Sequence, residues 1–371
     1  MAEPRFLVNS HREFIEREGI PIVEGFGVDL LAVDTQPWAR LGARGAYTLV
    51  AGRGDFLDMY VLEIPPGRHT EPQKHLFEEV VYVLEGRGNT TIEAADGSTH
   101  SFEWGEKSLF ALPLNCRYQH FNSSGQKRAR LAGVTNLPLV LNAFHNEDFV
   151  FRNDFVFPER FGSEKFFQGE GEFIPMRPGR HMWETNFVPD LSTFQLQRWD
   201  ARGGGSSNIM FVLADGTMHA HVSEMPVGTY KKAHRHGPGA HVVILDGIGF
   251  STLWQEGQSE PMRCNWKPNS VVVPPANWFH QHFNTGAQPA RYLALKFAGR
   301  RFHLSNQFGG DRSDVSLKLG GHQLEYEDED PAVHARFESE LRSNGAECRM
   351  KGLVAWCTGE QGPPDTSAHP D

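Results

Sequence analysis

The sequence has little cysteine, no long apolar stretch and no cluster of basic residues, and each absence excludes a class of protein. Four cysteines among 371 residues, none in CxxC spacing, are too few for a disulfide scaffold. No apolar run approaches the roughly twenty residues of a membrane-spanning helix, and the polar opening lacks the pattern of a secretory signal. The net charge of −10 comes without a basic patch, which argues against nucleic-acid binding. We therefore expect a cytoplasmic protein that binds neither membrane nor nucleic acid.

Glycine and proline, by contrast, are abundant, with 38 and 23 residues. They divide the chain into short strand-like runs with turn signals about every eight to twelve residues, a pattern typical of a β-sandwich or barrel. Short helices are expected over residues 11–19 and 331–345. The glycine-rich run 202–208 is expected to form a loop tip. Cys348 and Cys357 could pair or bind a metal, but we interpret them as bystanders.

The chain contains a long internal repeat. Residues 63–86 and 224–247 align without a gap at a constant offset of 161 positions, which is 224 − 63. A single repeat of this length predicts a duplicated domain rather than a solenoid. The predicted organisation is an N-terminal domain over 1–150, a Phe-rich connecting segment packed across both domains over 151–207, a C-terminal domain over 208–310, and an arm with a helix and a disordered tail over 311–371.

Histidines are concentrated in the second repeat. His234 and His236 are two positions apart, so on a strand both rings would lie on the same face. His280, from a distant segment, could then complete a site from the opposite wall. Neutral imidazoles suit divalent transition metals. The pattern predicts one such ion per chain.

These residues resemble the two sequence motifs of the cupin superfamily, and their double occurrence resembles a two-domain cupin, or bicupin. The first motif, G-x5-H-x-H-x(3,4)-E-x6-G, is matched in the second repeat by Gly228, His234, His236 and Gly247. The second motif, a Pro-rich turn followed by H-x3-N, is matched by His280 and Asn284. The resemblance implies an all-β protein, a duplicated double-stranded β-helix (jelly roll) with the metal inside a barrel.

The second repeat departs from the motif at its glutamate. Ala240 stands at the aligned position, and His241 follows one residue later. We predict that His241 is a fourth metal ligand, provided that residues 237–239 absorb the one-residue slip. Without that compensation the ring would turn away from the barrel interior, leaving a three-histidine set. His282 is predicted to be a catalytic residue, with roles as an alternative ligand or a hydrogen-bonding partner of the substrate left open.

The first repeat has lost more of the motif. Gln73 and Tyr118 occupy positions where the family has histidine, whereas His75 and Glu79 are in place and His120 follows Tyr118 by two residues. Glutamine and tyrosine are poor ligands beside imidazole. We predict a degenerate site with structural roles; a metal held by His75, Glu79 and His120 is the alternative.

The resemblance extends to gentisate-type dioxygenases, and it implies an Fe(II)-dependent dioxygenase of a small aromatic or diketone-like molecule, with O2 as co-substrate. Apolar strand positions such as Val243 and Leu245 favour a partly apolar substrate. The first alternative is a non-oxidative decarboxylase, lyase, isomerase or hydrolase that uses Mn, Ni or Zn. The second is a protein that binds a small molecule without catalysis. A homo-oligomer is expected, because sheet edges need cover.

Overall fold

The computed structural model describes residues 7–94, 96–177, 180–237, 240–297, 301–302, 312–360 and 362. Residues 363–371 of the expected disordered tail lie outside these residues, whereas Gly359, Glu360 and Gly362 at its start are described. Strands dominate, which confirms the all-β prediction. No helix in the described part is long and apolar enough to cross a membrane. The α-helices are α1 (Ser10–Arg17), α2 (Leu137–Phe144), α3 (Glu147–Phe151) and α4 (Pro331–Ser343). Short 3-10 helices cover Ala39–Leu41, Ala51–Arg53, Pro158–Phe161, Glu164–Phe167, Asp200–Arg202, Leu317–Leu319 and Tyr326–Asp328.

The first half of the chain forms one barrel from a large and a small sheet. The large sheet has the order β1-β4-β5-β11-β6-β9, with β3 beside β4, and the small sheet is β10-β7-β8. The strands are β1 (Ile22–Gly25), β2 (Gly27–Asp29), β3 (Gln36–Trp38), β4 (Ala43–Val50), β5 (Asp58–Ile64), β6 (Glu79–Glu85), β7 (Gly88–Glu93), β8 (Thr99–Trp104), β9 (Leu109–Leu112), β10 (Arg117–Asn122) and β11 (Ala129–Thr135).

The second half repeats this plan. Its large sheet has the order β12-β13-β16-β17-β23-β18-β21, with β15 beside β16, and its small sheet is β20-β19-β22. The strands are β12 (Glu172–Arg177), β13 (Arg180–Thr185), β14 (Phe187–Val188), β15 (Gln197–Arg198), β16 (Ser207–Leu213), β17 (His219–Met225), β18 (His241–Asp246), β19 (Gly249–Trp254), β20 (Met262–Trp266), β21 (Ser270–Val272), β22 (Phe279–Asn284) and β23 (Ala290–Lys296).

The two barrels exchange short strands. β2, from the start of the chain, pairs with β21 of the second barrel, where Gly27 faces Val272. In return, β14 of the connecting segment pairs with β9 of the first barrel, where Phe187 faces Phe110. Each large sheet therefore ends in a strand supplied by the segment that leads into the other barrel, and this covers the sheet edge.

A shared apolar core lies between the barrels, and strand alternation determines which residues reach it. On β18, Val243 and Leu245 belong to the shared core, whereas Val242 and Ile244 belong to the interior cluster of the second barrel. On β6, Val80 also contributes to the shared core. The expectation that Val243 and Leu245 line a substrate site is therefore wrong.

The connecting segment contacts both halves. Phe161 and Phe167 are buried in the core of the first barrel, while β12 and β13 extend the large sheet of the second. Other rings of this region remain exposed, including Phe155 at 62% and Phe173 at 48%. The domain boundaries and the expected homo-oligomer stay predictions.

The helices begin close to the predicted positions. In α4, Asp330 is the N-cap and its side chain accepts a hydrogen bond from Ala332 N, with Pro331 as the first helical residue. In α1 the cap is Asn9 rather than Ser10, since the Asn9 side chain accepts from Arg12 N. Capping thus determines where both helices begin.

Candidate metal centre

His234, His236 and His280 converge in the second barrel, with one ring nitrogen of each within 4.8 Å of the others. His280 lies on β22. His234 and His236 lie in the segment before β18 and not on a strand, so their expected strand placement is wrong. Backbone hydrogen bonds bring the walls together instead: His234 N donates to His280 O at 3.0 Å, and His280 N donates to His234 O at 2.8 Å.

The backbone also sets the tautomer of each ring. A carbonyl oxygen only accepts hydrogen bonds, so a histidine nitrogen facing one carries the hydrogen, and the other nitrogen keeps its lone pair for a metal. In each of the three rings the nitrogen facing a carbonyl is Nδ1. The contacts run from His234 to Lys232 O at 3.3 Å, from His236 to Gly237 O at 3.0 Å, and from His280 to Trp278 O at 3.3 Å.

Electrostatics favour the neutral, ligating form. Burial, with a smaller effect of nearby positive charge, lowers the pKa of His234 and His236 well below its usual value. Burial also lowers the pKa of His280 to about 3. All three rings are therefore neutral near pH 7, and lone pairs on Nε2 are available. This donor set fits a divalent transition-metal ion.

The centre opens into a small cavity whose wall contains mostly polar and basic side chains. Arg202 and Lys296 contribute positive charge, and no described aspartate or glutamate lines it. The wall consists of Trp199, Arg202, Asn208, His219, His221, His234, His236, Ala240, Val242, His280, His282, Tyr292, Ala294, Lys296 and Ser313. Such a wall favours a small organic anion over an apolar ring.

Arg202 is a site residue that sequence reasoning missed. The run that it opens is not a loop tip: Arg202 is 6% exposed, and its guanidinium donates to Ser313 Oγ and Gln323 Oε1, each at 2.9 Å. The following Gly203 has φ of +71°, and a Cβ there would lie 2.4 Å from Tyr326 Oη. The available signal in the sequence was an arginine followed directly by three glycines, which permit a tight turn.

His282 lines the same cavity but lies outside the group of ligand nitrogens. Its Nδ1 is 2.7 Å from Ser251 Oγ, which accepts a hydrogen bond from Trp266 Nε1 at 3.0 Å. The ring centroids of His282 and His280 are 5.5 Å apart. Held in this way, His282 stays a predicted catalytic residue, placed to contact substrate rather than metal.

His241 is not at the centre. Its neighbours Ala240 and Val242 line the cavity, so on an alternating strand His241 faces the opposite side, toward the first barrel. Burial lowers its pKa to about 4, and Asp58 of the first barrel opposes this shift. The one-residue slip is thus uncompensated, which corrects the prediction of a fourth ligand. Pro238 and Gly239, expected to absorb it, lie outside the described residues.

Replacing His241 by leucine is expected to leave the metal content unchanged and to raise the free energy of unfolding by about 1 kcal/mol. Both ring nitrogens of His241 are buried without a hydrogen-bond partner, so an apolar side chain removes a desolvation cost. Elemental analysis and urea unfolding of His241→Leu beside wild type would measure both quantities. Loss of an ion in this variant would place the ring at the centre after all.

The corresponding place in the first barrel is filled by a closed hydrogen-bond cluster. His75 Nε2 lies 2.9 Å from Glu79 Oε2 and 3.0 Å from Tyr118 Oη, and Tyr118 donates to Glu79 at 2.9 Å. Tyr60 donates to the other oxygen of Glu79. His120 is bonded instead to Thr90 Oγ1 through Nδ1 at 2.7 Å. Tyr118 thus contacts His75 Nε2 and Glu79 Oε2, two atoms that a metal would need, and the degenerate site stays a prediction.

Comparisons with known proteins concern the fold. No family model and no curated protein sequence matches the chain. Among solved structures, a mutant of Bacillus subtilis oxalate decarboxylase has a TM-score of 0.50 at 14% identity, covering 80% of this chain and 86% of that chain. Oxalate decarboxylase of Lactobacillus farciminis, as a formate complex, has a TM-score of 0.49 at 12% identity, covering 74% and 86%. A further Bacillus subtilis structure, from work on the Mn(II) centres of that enzyme, has 0.49 at 15% identity, covering 80% and 86%.

The neighbour at a TM-score of 0.50 is an oxalate decarboxylase, so the resemblance to gentisate-type dioxygenases in particular is not confirmed. At 14% identity, the match concerns architecture and not activity. It agrees with the duplicated strand plan and with the repeated sequence motifs. The chain has the two-domain cupin fold.

Proposed function

We propose that the second barrel is the active site of a metal-dependent enzyme that acts on a small organic carboxylate. The observation that carries this proposal is the combination of three converging imidazoles with two basic residues, Arg202 and Lys296, in the wall of one cavity. A bound divalent ion would supply Lewis acidity toward a substrate oxygen. The chain's own residues would supply charge, orientation and proton handling.

Arg202 and Lys296 give the cavity its affinity for an anion. Arg202 is buried and fixed by Ser313 and Gln323, so its charge is pre-organised at the wall. His282 lines the cavity, and its Nδ1 is held by Ser251 at 2.7 Å. We assign His282 the transfer of a proton to or from the substrate.

We place a non-oxidative reaction, such as decarboxylation or carbon–carbon cleavage, first, because it needs only a Lewis acid and proton transfer at a bound carboxylate. The dioxygenase remains a second candidate, because three protein ligands leave coordination positions for both a substrate and O2. Iron in particular has no separate support, since imidazole binds several divalent metals. The proposal is therefore a divalent transition-metal ion, to be identified by elemental analysis.

The deciding experiment is an assay of the purified, metal-analysed protein against a panel of small mono- and dicarboxylic acids, in anaerobic and in aerated buffer. We expect a carboxylate to be consumed without O2, with products identified by NMR. Consumption only in aerated buffer would establish the dioxygenase instead. If the protein converts none of these acids even after loading with metal, the non-catalytic binding alternative would be favoured.

The same assay tests the cationic wall through Arg202→Met. We expect KM for the carboxylate to rise about 30-fold, which corresponds to about 2 kcal/mol, the scale of an unpaired buried charge. Arg198→Met is the matched control, because the Arg198 side chain is 49% exposed and does not line the cavity. An unchanged KM in Arg202→Met would exclude Arg202 from substrate binding.

A further inference from the structure

A second convergence of ligand atoms lies in the C-terminal arm, away from the cavity. His334, Glu338, Cys348 and Cys357 each place one ligand atom within 4.8 Å of the others. His334 is 2% exposed, both cysteines are 7% exposed, and Glu338 is partly buried. The sequence-based interpretation of the two cysteines as bystanders did not foresee this arrangement.

Four of the six distances between these atoms are close to the edges of a tetrahedron around zinc, and the other two are within 4.8 Å. Zinc binds sulfur at about 2.3 Å and nitrogen or oxygen at about 2.0–2.1 Å, which gives tetrahedral edges of about 3.3–3.8 Å. The observed edges are Cys348 Sγ to Cys357 Sγ at 3.5 Å, Cys348 Sγ to His334 Nε2 at 3.8 Å, Cys357 Sγ to Glu338 Oε1 at 3.8 Å, and His334 Nε2 to Glu338 Oε1 at 3.2 Å.

Local structure directs these atoms inward. His334 and Glu338 are four residues apart on α4, so they share one face of the helix. The cysteines follow the helix in a turn closed by two backbone hydrogen bonds, Glu360 N to Cys348 O at 2.8 Å and Cys357 N to Val354 O at 3.1 Å. The helix and the turn thus each place two ligand atoms at the same point.

The surroundings of His334 fix it as an Nε2 ligand. Tyr230 Oη donates to Glu329 Oε2 at 2.7 Å, and His334 Nδ1 lies 3.2 Å from the same hydroxyl. Since the hydroxyl hydrogen is used toward Glu329, the hydroxyl accepts from Nδ1–H, and the lone pair stays on Nε2. Metal-bound histidines have such a partner on the second nitrogen.

We propose that His334, Glu338, Cys348 and Cys357 bind a structural zinc ion that fixes the C-terminal arm to the second barrel. Four protein ligands close the coordination sphere, as in structural rather than catalytic zinc sites, and thiolates favour zinc over harder cations. A disulfide between Cys348 and Cys357 is the competing arrangement, but it leaves the convergence of His334 and Glu338 unexplained.

The ion would also support the active-site wall. The same arm carries Ser313, which lines the cavity, and Gln323, which holds Arg202. Tyr230, beside His334, accepts at its carbonyl a 2.5 Å hydrogen bond from Tyr326 of the arm. The zinc site and the wall are therefore parts of one packed structure, although their metals would be separate.

The test is elemental analysis of full-length protein produced with zinc, comparing wild type with Cys357→Ser and, as a matched control, Cys264→Ser. Cys264 is partly exposed and belongs to neither ligand group. We expect Cys357→Ser to lose about one zinc per chain, as one four-ligand site requires, and Cys264→Ser to lose none. Unchanged zinc in Cys357→Ser would overturn the proposal.

Cobalt substitution provides a second readout in wild type, so the test does not depend on a variant that folds. Of the two ligand groups found among the described residues, the arm site is the one that contains cysteines, so a thiolate-to-cobalt charge-transfer band is expected from it and not from the three-histidine centre. Absence of this band, together with a Cys348–Cys357 disulfide found by mass spectrometry, would refute the zinc site. His236→Ala should keep the band, so failure of this proposal is distinguishable from failure of the proposed function.

Discussion

Replacing His236 by alanine is expected to remove about one metal ion per chain and to lower turnover by at least about 10³-fold, because loss of a Lewis acid costs several kcal/mol of transition-state stabilisation. His236 supplies one of three ligand nitrogens. The two imidazoles that remain, without a third protein ligand, hold a divalent ion poorly. The zinc proposed for the arm should stay bound, so metal analysis reports the loss at the barrel centre alone.

The repeat provides a matched control in His75→Ala. His75 occupies the aligned position in the first barrel, since 236 − 75 is 161. It is hydrogen-bonded to Glu79 and Tyr118, and it belongs to neither group of candidate ligands among the described residues. His75→Ala should therefore lower stability but leave metal content and turnover unchanged. Loss of an ion from His75→Ala, with none from His236→Ala, would move the working centre to the first barrel.

The sequence predicted the fold and the convergence of three histidines because both signals are carried by motifs of fixed spacing. The gapless repeat and the spacing of His234, His236 and His280 survive in the structure even though two of these residues lie outside a strand. His241 was misplaced because one residue reverses the direction of a strand side chain. Spacing alone could not show whether the slip was absorbed.

The remaining features depend on contacts between distant segments. Arg202 enters the cavity wall only because the arm returns to hold it, at Ser313 and Gln323. The zinc ligands lack CxxC spacing, and their signal is weaker: a histidine and a glutamate four apart on a predicted helix, followed by Cys348 and Cys357. The strand exchange leaves no pattern within either partner strand, so periodicity does not predict it.

Replacing Arg130 by methionine is expected to lower the free energy of unfolding by about 3–5 kcal/mol, the cost of breaking a buried ion pair from one side. The Arg130 side chain is 5% exposed and lies 2.8 Å from Glu63. Its guanidinium also donates to the carbonyls of Leu31 at 2.8 Å and Val33 at 3.0 Å. Leu31 and Val33 follow β2, which pairs with the second barrel, whereas Arg130 lies on β11 of the first barrel. This one side chain therefore joins the exchanged strand to the first barrel.

The second barrel has the same arrangement around Arg291, so the loss of free energy of unfolding can be compared between two sites of one protein. Arg291 donates to the carbonyls of Leu191 at 2.8 Å and Ser192 at 2.6 Å, just after β14, and pairs with Glu224 at 2.8 Å. Its side chain is 12% exposed and that of Glu224 is 29%, against 13% for Glu63. Because water can replace more of the lost contacts at this site, Arg291→Met should lower the free energy of unfolding by less than Arg130→Met does.

Urea unfolding followed by circular dichroism would measure both variants, with Arg130→Lys as the conservative substitution. Lysine keeps the charge but cannot serve the carboxylate and several carbonyls with one planar fork, so it should recover only part of the loss. If Arg130→Met and Arg291→Met both cost less than about 1 kcal/mol, the range of exposed surface pairs, the exchanged strands would be held by the shared apolar core instead. A larger loss in the more buried pair would show that each arginine fixes the segment through which one barrel completes the other.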